Sequence, residues 1–250
     1  MKLTGNTIFI TGGGSGIGRG LAEALYALGN QVIISGRRKT ALEETTRANS
    51  GMDSIELDVE VTASIAAVAA TLIAKYPKLN VVINNAGIMQ VDDAAGTVDD
   101  ALLLSTVTTN MTGPIRITSA LMEHFKKQEA ATVAYVTSGL AFVPLAMTAV
   151  YSATKAAMHS YPMSQRYTLK GTSVRVLEIV PPYVQTELMG AQMAQDPRVM
   201  PLKEFIAETI ELLGTDADEV LTQRVGMQRN NPGPNEGLFV NQFNDMVAGH

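Results

Sequence analysis

The chain contains no cysteine and no tryptophan. Without thiols there are no disulfides, no thiol nucleophile and no cysteine-ligated metal. The expectation taken from this is a cytoplasmic protein. Aromatic residues make up only 5% and charged residues 17%, against 46% hydrophobic. A chain of this balance buries a sizeable core and is not disordered. The formal charge is −5, and the tightest basic run is Arg37-Arg38-Lys39. That is not the footprint of a nucleic-acid binder. No apolar stretch reaches the roughly 18 residues a membrane span requires. The start carries no signal-peptide core, because Ile8-Phe9-Ile10 runs straight into Thr11 and glycines. The three histidines, His124, His159 and His250, lack ligand spacing, so no metal is expected. The thirteen methionines read as gap-fillers of the core. Glu43-Glu44 and Asp92-Asp93 read as solvated charge rather than acid–base pairs.

What the chain does have is alternation. Apolar, β-branched runs at residues 7–11, 31–35, 54–58, 80–84, 132–137 and 173–180 read as strands. Several are almost continuously apolar, as in strands covered on both faces. Between them, residues 17–28, 40–48, 62–75, 99–127 and 151–169 read as helices. This order predicts an α/β fold, a doubly wound parallel sheet of six to seven strands flanked by helices. There are no repeats and no low-complexity linker, so one domain over residues 1–250 is expected. Two prolines disturb the helix pattern. Pro114 follows Gly113 inside the fourth helix, and Pro162 is expected to kink or end the fifth, since an interior proline costs ~3 kcal/mol or more.

The first strand runs into Thr11-Gly12-Gly13-Gly14-Ser15-Gly16-Ile17-Gly18 and then a helix. Glycines permit backbone angles closed to other residues and let a ligand approach. A helix start offers unpaired N–H groups and a positive dipole end, which suit a pyrophosphate. In an α/β chain this turn predicts dinucleotide binding by Gly12, Gly14, Ser15, Gly16, Ile17 and Gly18. The end of the second strand then selects the nucleotide. An acidic residue there would bond the ribose of NAD, whereas this chain has Ser35-Gly36-Arg37-Arg38. Arginine pairs with the 2′-phosphate of NADP, so NADP(H) is the expected cofactor.

Tyr151 and Lys155 stand four apart on a predicted helix and share a face. A phenol titrates near pH 10, and a nearby ammonium favours the phenolate. Such a tyrosine can exchange a proton with a substrate oxygen. The pair alone is common; Ser138, Asn110 and the glycine turn in the same chain raise its weight.

Together these residues resemble the classical short-chain dehydrogenase/reductase family over about residues 5–190. Thr11 to Gly18 matches its glycine turn, and Asp58-Val59 its adenine-side pair. Asn84-Asn85-Ala86-Gly87 matches its element after the fourth strand, and Asn110, Ser138, Tyr151 and Lys155 its catalytic tetrad. The resemblance implies that Tyr151 is the general acid in ketone reduction and that Ser138 positions the carbonyl oxygen. It implies that Lys155 binds the nicotinamide ribose and lowers the Tyr151 pKa, and that Asn110 holds a water linking Lys155 to solvent. Asn85, Ala86 and Gly87 are implied cofactor contacts. Pro181, Val184 and Thr186 are implied contacts of the nicotinamide, with Pro182 standing where the family has glycine. Residues 226–250 depart from the family's glycine-rich terminal strand and resemble a smaller, DltE-like subgroup of oxidoreductases. Loss of that strand argues for a homodimer through helices 99–127 and 151–169 over a tetramer.

The flanks of the site are apolar: Leu140, Ala141, Phe142, Val143, Leu145 and Met147 before it, and Tyr183, Leu188, Met189 and Met193 in a substrate loop at about 183–215. No arginine or lysine stands ready for a substrate anion. The expected reaction is reversible, NADPH-dependent reduction of a small-molecule ketone or aldehyde to its alcohol. Hydrophobic ketones, bulky or aromatic ones included, are the expected substrates. Two alternatives are an NADP-binding sensor without turnover and a dehydratase or epimerase on the same fold.

Overall fold

Five-residue β1 (Thr7–Thr11) sends Ile8 and Ile10 to one side of the sheet and Phe9 to the other, all of them buried. That two-sided burial is why the strand lacks polar alternation. The computed structural model describes residues 1–190, 196, 198–231 and 233–249. Met193 and His250 lie outside them.

The sheet contains seven parallel strands in the order β3-β2-β1-β4-β5-β6-β7. The others are β2 (Gln31–Gly36), β3 (Asp53–Glu56), β4 (Leu79–Asn84), β5 (Ala131–Val136), β6 (Val174–Val180) and β7 (Glu219–Leu221). Strand order reverses between β1 and β4, the place where open α/β sheets bind ligands at their carboxyl ends. Helices α1 (Gly16–Ala27), α2 (Lys39–Ala48) and α3 (Thr62–Lys75) follow the first three strands. After β4 come α4 (Asp100–Val107) and α5 (Gly113–Phe125); after β5 comes α6 (Ala149–Thr168). The chain closes with α7 (Leu202–Leu213), β7, the short α8 (Gly226–Arg229) and α9 (Glu236–Ala248). On one side of the sheet Leu21, Leu25, Phe205 and Ile206 build the core; on the other Ile65, Leu72, Leu121 and Phe125 do. Among the described residues no helix is long and apolar enough to cross a membrane.

The structure corrects the sequence reading in five places. The strand expected at 54–58 ends at Glu56, leaving Asp58 in the following turn. The helix expected at 99–127 is interrupted by a π-helical turn at Thr108–Thr112. Pro114 has no N–H to close a regular turn, and it falls at the start of α5, where none is needed. Pro162 neither ends nor splits α6, which continues to Thr168. Met158, in the core, holds the helix against the sheet despite the lost hydrogen bond, and Pro162 is itself buried. The terminal strand is not lost: β7 pairs Glu219 with Glu178, Val220 with Ile179 and Leu221 with Val180. It is only three residues long, too short to leave a pattern in the sequence. Finally, the region expected as a loop at 183–215 contains α7, packed on α1 through Phe205 and Ile206.

Candidate active site

The glycine turn is built by steric necessity. Gly12 and Gly16 have φ of +68° and +52°, in the region that favours glycine. A Cβ on Gly18 would stand 2.3 Å from the Gly12 carbonyl oxygen and 2.4 Å from Asn85 Nδ2. The turn is strapped to the end of β4. Thr11 Oγ1 accepts from the backbone N–H groups of Asn85 and Ala86, each at 3.0 Å. Asn85 Nδ2 donates to the carbonyls of Thr11 and Gly12 at 2.9 and 3.3 Å. The Asn85 side chain therefore holds the turn in shape. Helix α1 opens with no side-chain cap at Ser15 and no acidic residue in its first turn. Arg38 donates to Ser15 Oγ at 2.9 Å, while Arg37 reaches Glu60 at 3.2 Å. Of the two arginines, Arg38 is the one at the turn.

Ser138, just after β5, is buried, as are Tyr151 and Lys155 on α6 and Asn110 in the π-helical turn. Three segments of the chain thus meet at the carboxyl end of the sheet. Ser138 Oγ accepts from Leu140 N–H at 3.1 Å, and Pro181 O accepts from Gly139 N–H at 2.9 Å. The turn that carries Ser138 is thus tied to the segment just after β6. Burial pushes the Tyr151 phenol up to about 12, and a hydrogen bond with Ser138 pulls it partly back. Burial also pulls Lys155 down to about 8, opposed by the charge of Glu178. Desolvation of the phenolate is the larger influence on Tyr151 here, and Ser138 is the group that opposes it. The Lys155 ammonium stands 5.4 Å from the Tyr151 ring centre and donates to Val136 O at 2.8 Å.

Asn110 Oδ1 accepts from Ile88 N–H at 2.9 Å, and its Nδ2 donates to Ile88 O at 2.8 Å and Thr154 Oγ1 at 3.2 Å. It clamps the segment after Gly87 onto α6. A Cβ on Gly87 would lie 3.3 Å from Asn110 Oδ1 and 3.9 Å from Lys155 Nζ, so Gly87 keeps this junction open. π-helical turns are frequent at functional sites, and this one presents Asn110.

Sequence reasoning missed three residues of this neighbourhood. Asp92, read as solvated charge, accepts from Ala149 N–H at 3.1 Å and Val150 N–H at 2.9 Å. It caps α6 one turn or less before Tyr151. Nothing local reveals this, because cap and helix are far apart in sequence. Glu178 is fully buried, and Thr137 Oγ1 donates to it at 2.7 Å. The signal that could have found it is a lone acid within the apolar run of β6. His159, set aside in the sequence for lack of ligand spacing, stands 2.8 Å from Glu178 through Nδ1. His159, Glu178 and Glu219 lie close enough to ligate one cation. Their oxygens are already engaged: Glu219 forms a two-point ion pair with Arg229 at 2.7 and 3.1 Å, and Glu178 accepts from Thr137 and His159.

Of the flanking residues, Val143 and Val184 are buried, and Val184 belongs to the main core. Tyr183, Leu188 and Met147 are exposed. Thr186 lies beside the glycine turn, its Cγ2 at 3.5 Å from where a Gly16 Cβ would be.

A family model described as short chain dehydrogenase matches residues 6–197. The chain belongs to the short-chain dehydrogenase/reductase family. This short-chain dehydrogenase is 37% identical over 231 residues to the uncharacterized oxidoreductase DltE of Bacillus subtilis (strain 168), covering 90% of this chain and 91% of that protein. It is 31% identical over 212 residues to the sulfoacetaldehyde reductase of Chromohalobacter salexigens, covering 81% and 84%. A solved short-chain dehydrogenase from Streptomyces avermitilis superposes with a TM-score of 0.78 at 26% identity, over 98% of this chain and 95% of that one. A Burkholderia cenocepacia short chain dehydrogenase in complex with NADP superposes with a TM-score of 0.83 at 24% identity, over 96% and 98%. The DltE-like resemblance of this short-chain dehydrogenase thus extends over most of the chain.

Proposed function

We propose that this oxidoreductase reduces a hydrophobic ketone or aldehyde to its alcohol, reversibly, with NADPH. The reading rests on one observation above others: the Ser138 and Tyr151 hydroxyls share a buried site, with Lys155 one turn further along α6 and its ammonium 5.4 Å from the Tyr151 ring centre. A carbonyl becoming an alkoxide needs donors aimed at its oxygen, and these two hydroxyls supply them.

The residues present fit a nicotinamide dinucleotide. The start of α1 has unpaired N–H groups, no acid in its first turn, and a glycine cradle that a Cβ would fill. Gly12, Gly14, Ser15, Gly16, Ile17 and Gly18 would hold the pyrophosphate. Arg38, with Arg37 beside it, would take the 2′-phosphate of NADP. Asp58 and Val59 would lie on the adenine side. Ala86, Gly87, Tyr151 and Lys155 would hold the ribose, and Pro181 and Thr186 the nicotinamide end. The dinucleotide supplies the hydride, as cofactors of this class do. Tyr151 gives its proton to the substrate oxygen, Ser138 orients that oxygen, and Lys155 keeps positive charge beneath the phenol. In the oxidising direction Tyr151 takes the proton back.

Arg229 is paired with Glu219, so its charge is not offered to a substrate anion. This supports the uncharged, hydrophobic ketone. Exposed Leu103 and Leu104 on α4 and Met163 and Tyr167 on α6 support the homodimer through these helices.

The test is NADPH consumption with a panel of aromatic ketones and keto acids, alongside NADH. Turnover is expected with a ketone, with NADPH preferred, and Tyr151→Phe is expected to lower it by ~10²–10⁴-fold. NADPH binding without turnover on any substrate would favour the sensor reading. Preferential turnover of a keto acid would overturn the substrate class.

A further inference from the structure

Tyr151 and Lys155 belong to a stripe that continues one turn further, to His159. Residues four apart on a helix lie on one face. Each member of the stripe meets the carboxyl end of the sheet: Tyr151 meets Ser138, Lys155 donates to Val136 O, and His159 meets Glu178. Glu178 has no exposed side-chain surface. It is held on both oxygens, by Thr137 at 2.7 Å and His159 at 2.8 Å.

Buried charges persist in proteins when they are paired. Lys155 is a buried amine whose own hydrogen bond goes to a neutral carbonyl, so its charge needs a partner elsewhere. Among the described residues, the ionisable groups around the stripe and Glu178 are these. Tyr151 and His159 come from α6, Glu178 from β6 and Glu219 from β7. Arg166 of α6 donates to backbone carbonyls, and Arg229 of α8 forms a two-point ion pair with Glu219. Glu219 is therefore matched by its own arginine. Glu178 is the carboxylate with no arginine or lysine in hydrogen-bonding contact, and the fold sets it beside Lys155. The ammonium sits on Val136 O, the next residue Thr137 holds Glu178, Glu178 pairs with Tyr135 across β5 and β6, and His159, one turn after Lys155, takes its other oxygen. Its charge opposes the loss of the Lys155 proton.

We propose that Glu178 is a positioning residue of the reductase site: its buried carboxylate, fixed by Thr137 and His159, is the counter-charge that keeps Lys155 an ammonium beneath Tyr151. This rests on reading Tyr151 and Lys155 as the proton-transfer pair. It assigns the sheet side of the site a function that the hydrogen bonds alone do not reveal.

The test is a pH titration of protein labelled with ¹³Cε-lysine, followed by NMR. The Lys155 resonance is identified by its loss in Lys155→Arg. In the unsubstituted protein the midpoint is expected near 8. In Glu178→Gln, which keeps the size and an acceptor for Thr137, proton affinity at Lys155 is expected to fall about tenfold. Thr137→Val, which loosens the carboxylate without removing it, is expected to shift the midpoint the same way by less. A folded Glu178→Gln protein with an unmoved midpoint overturns the proposal. Where Glu178→Gln does not fold, an unmoved midpoint in Thr137→Val overturns it instead. The readout needs neither substrate nor turnover. Absence of ketone reduction with the shift intact would reject the reductase reading and leave the counter-charge standing.

Discussion

Helices α1 and α6 both start at the carboxyl end of the sheet, and they start in opposite ways. α1 opens uncapped, with no side-chain acceptor at Ser15 and no acid in its first turn. α6 opens on Asp92, whose two carboxylate oxygens take the N–H groups of Ala149 and Val150. Each arrangement has a cost. An uncapped start forgoes about 1 kcal/mol of helix stability, and a capped start ties the helix to a distant segment. The difference teaches what each helix is for. The open start keeps its donors and its positive dipole end for an anion. The closed start fixes the register of Tyr151, Lys155 and His159 against β5 and β6, where misplacement would matter most.

The contrast can be broken from either side. The largest effect is expected from Gly18→Ala at the open start. The new Cβ collides with the Gly12 carbonyl and Asn85, and overpacking of this kind costs ~1–3 kcal/mol. NADPH affinity, followed by fluorescence titration, should fall by up to ~100-fold. Retained affinity would mean the turn does not carry the dinucleotide.

On the closed side, the burial of Lys155 has a pH signature. Its folded value near 8 lies below the ordinary 10.5, so the unfolded chain holds more protons between those pH values. Stability is penalised below about pH 8 and recovers as pH rises towards 10.5. Tyr151, pushed up to about 12, acts in the opposite sense: its contribution is lost as pH rises from about 10 to 12. Urea unfolding of the unsubstituted protein and Lys155→Met at pH 7 and pH 10 isolates the lysine. The unsubstituted protein should gain on the variant by up to about 3 kcal/mol over that interval. Parallel pH dependence would show that Lys155 is not desolvated.

Asp92→Ala removes the cap and should cost about 1–2 kcal/mol of stability. Turnover should fall while the NADPH dissociation constant stays unchanged, since the glycine turn is untouched. A change confined to NADPH binding would contradict the division of labour. The smallest effect sharpens the comparison most. Ser15→Asp gives α1 the acid it lacks and a partner for Arg38. Stability should rise by about 0.5–1 kcal/mol while NADPH binding weakens, because the new charge opposes the pyrophosphate.

What could be read in the sequence was local. The glycine turn is legible because its backbone angles demand glycine whatever surrounds it. The Tyr151 and Lys155 pair is legible because helical spacing alone puts both on one face. The short β7 and the uninterrupted course of α6 through Pro162 were not, since pairing with β6 and packing of Met158 decide them. The same holds for Asp92 and Glu178. Each looks like an ordinary acid until a partner dozens of residues away, or across a strand boundary, comes into reach.

The sequence by itself determined the alternating strands and helices, the dinucleotide-type turn and the chemical identity of the catalytic candidates. These follow from periodicity, backbone freedom and side-chain chemistry, which act over a few residues. Only the tertiary structure decided that Arg38 rather than Arg37 meets the turn, that Asn85 braces it, and that Lys155 is buried with its ammonium on the Val136 carbonyl. Those outcomes depend on which distant groups share a low-dielectric space. Desolvation and pairing there are set by the packed fold rather than by neighbours in the chain.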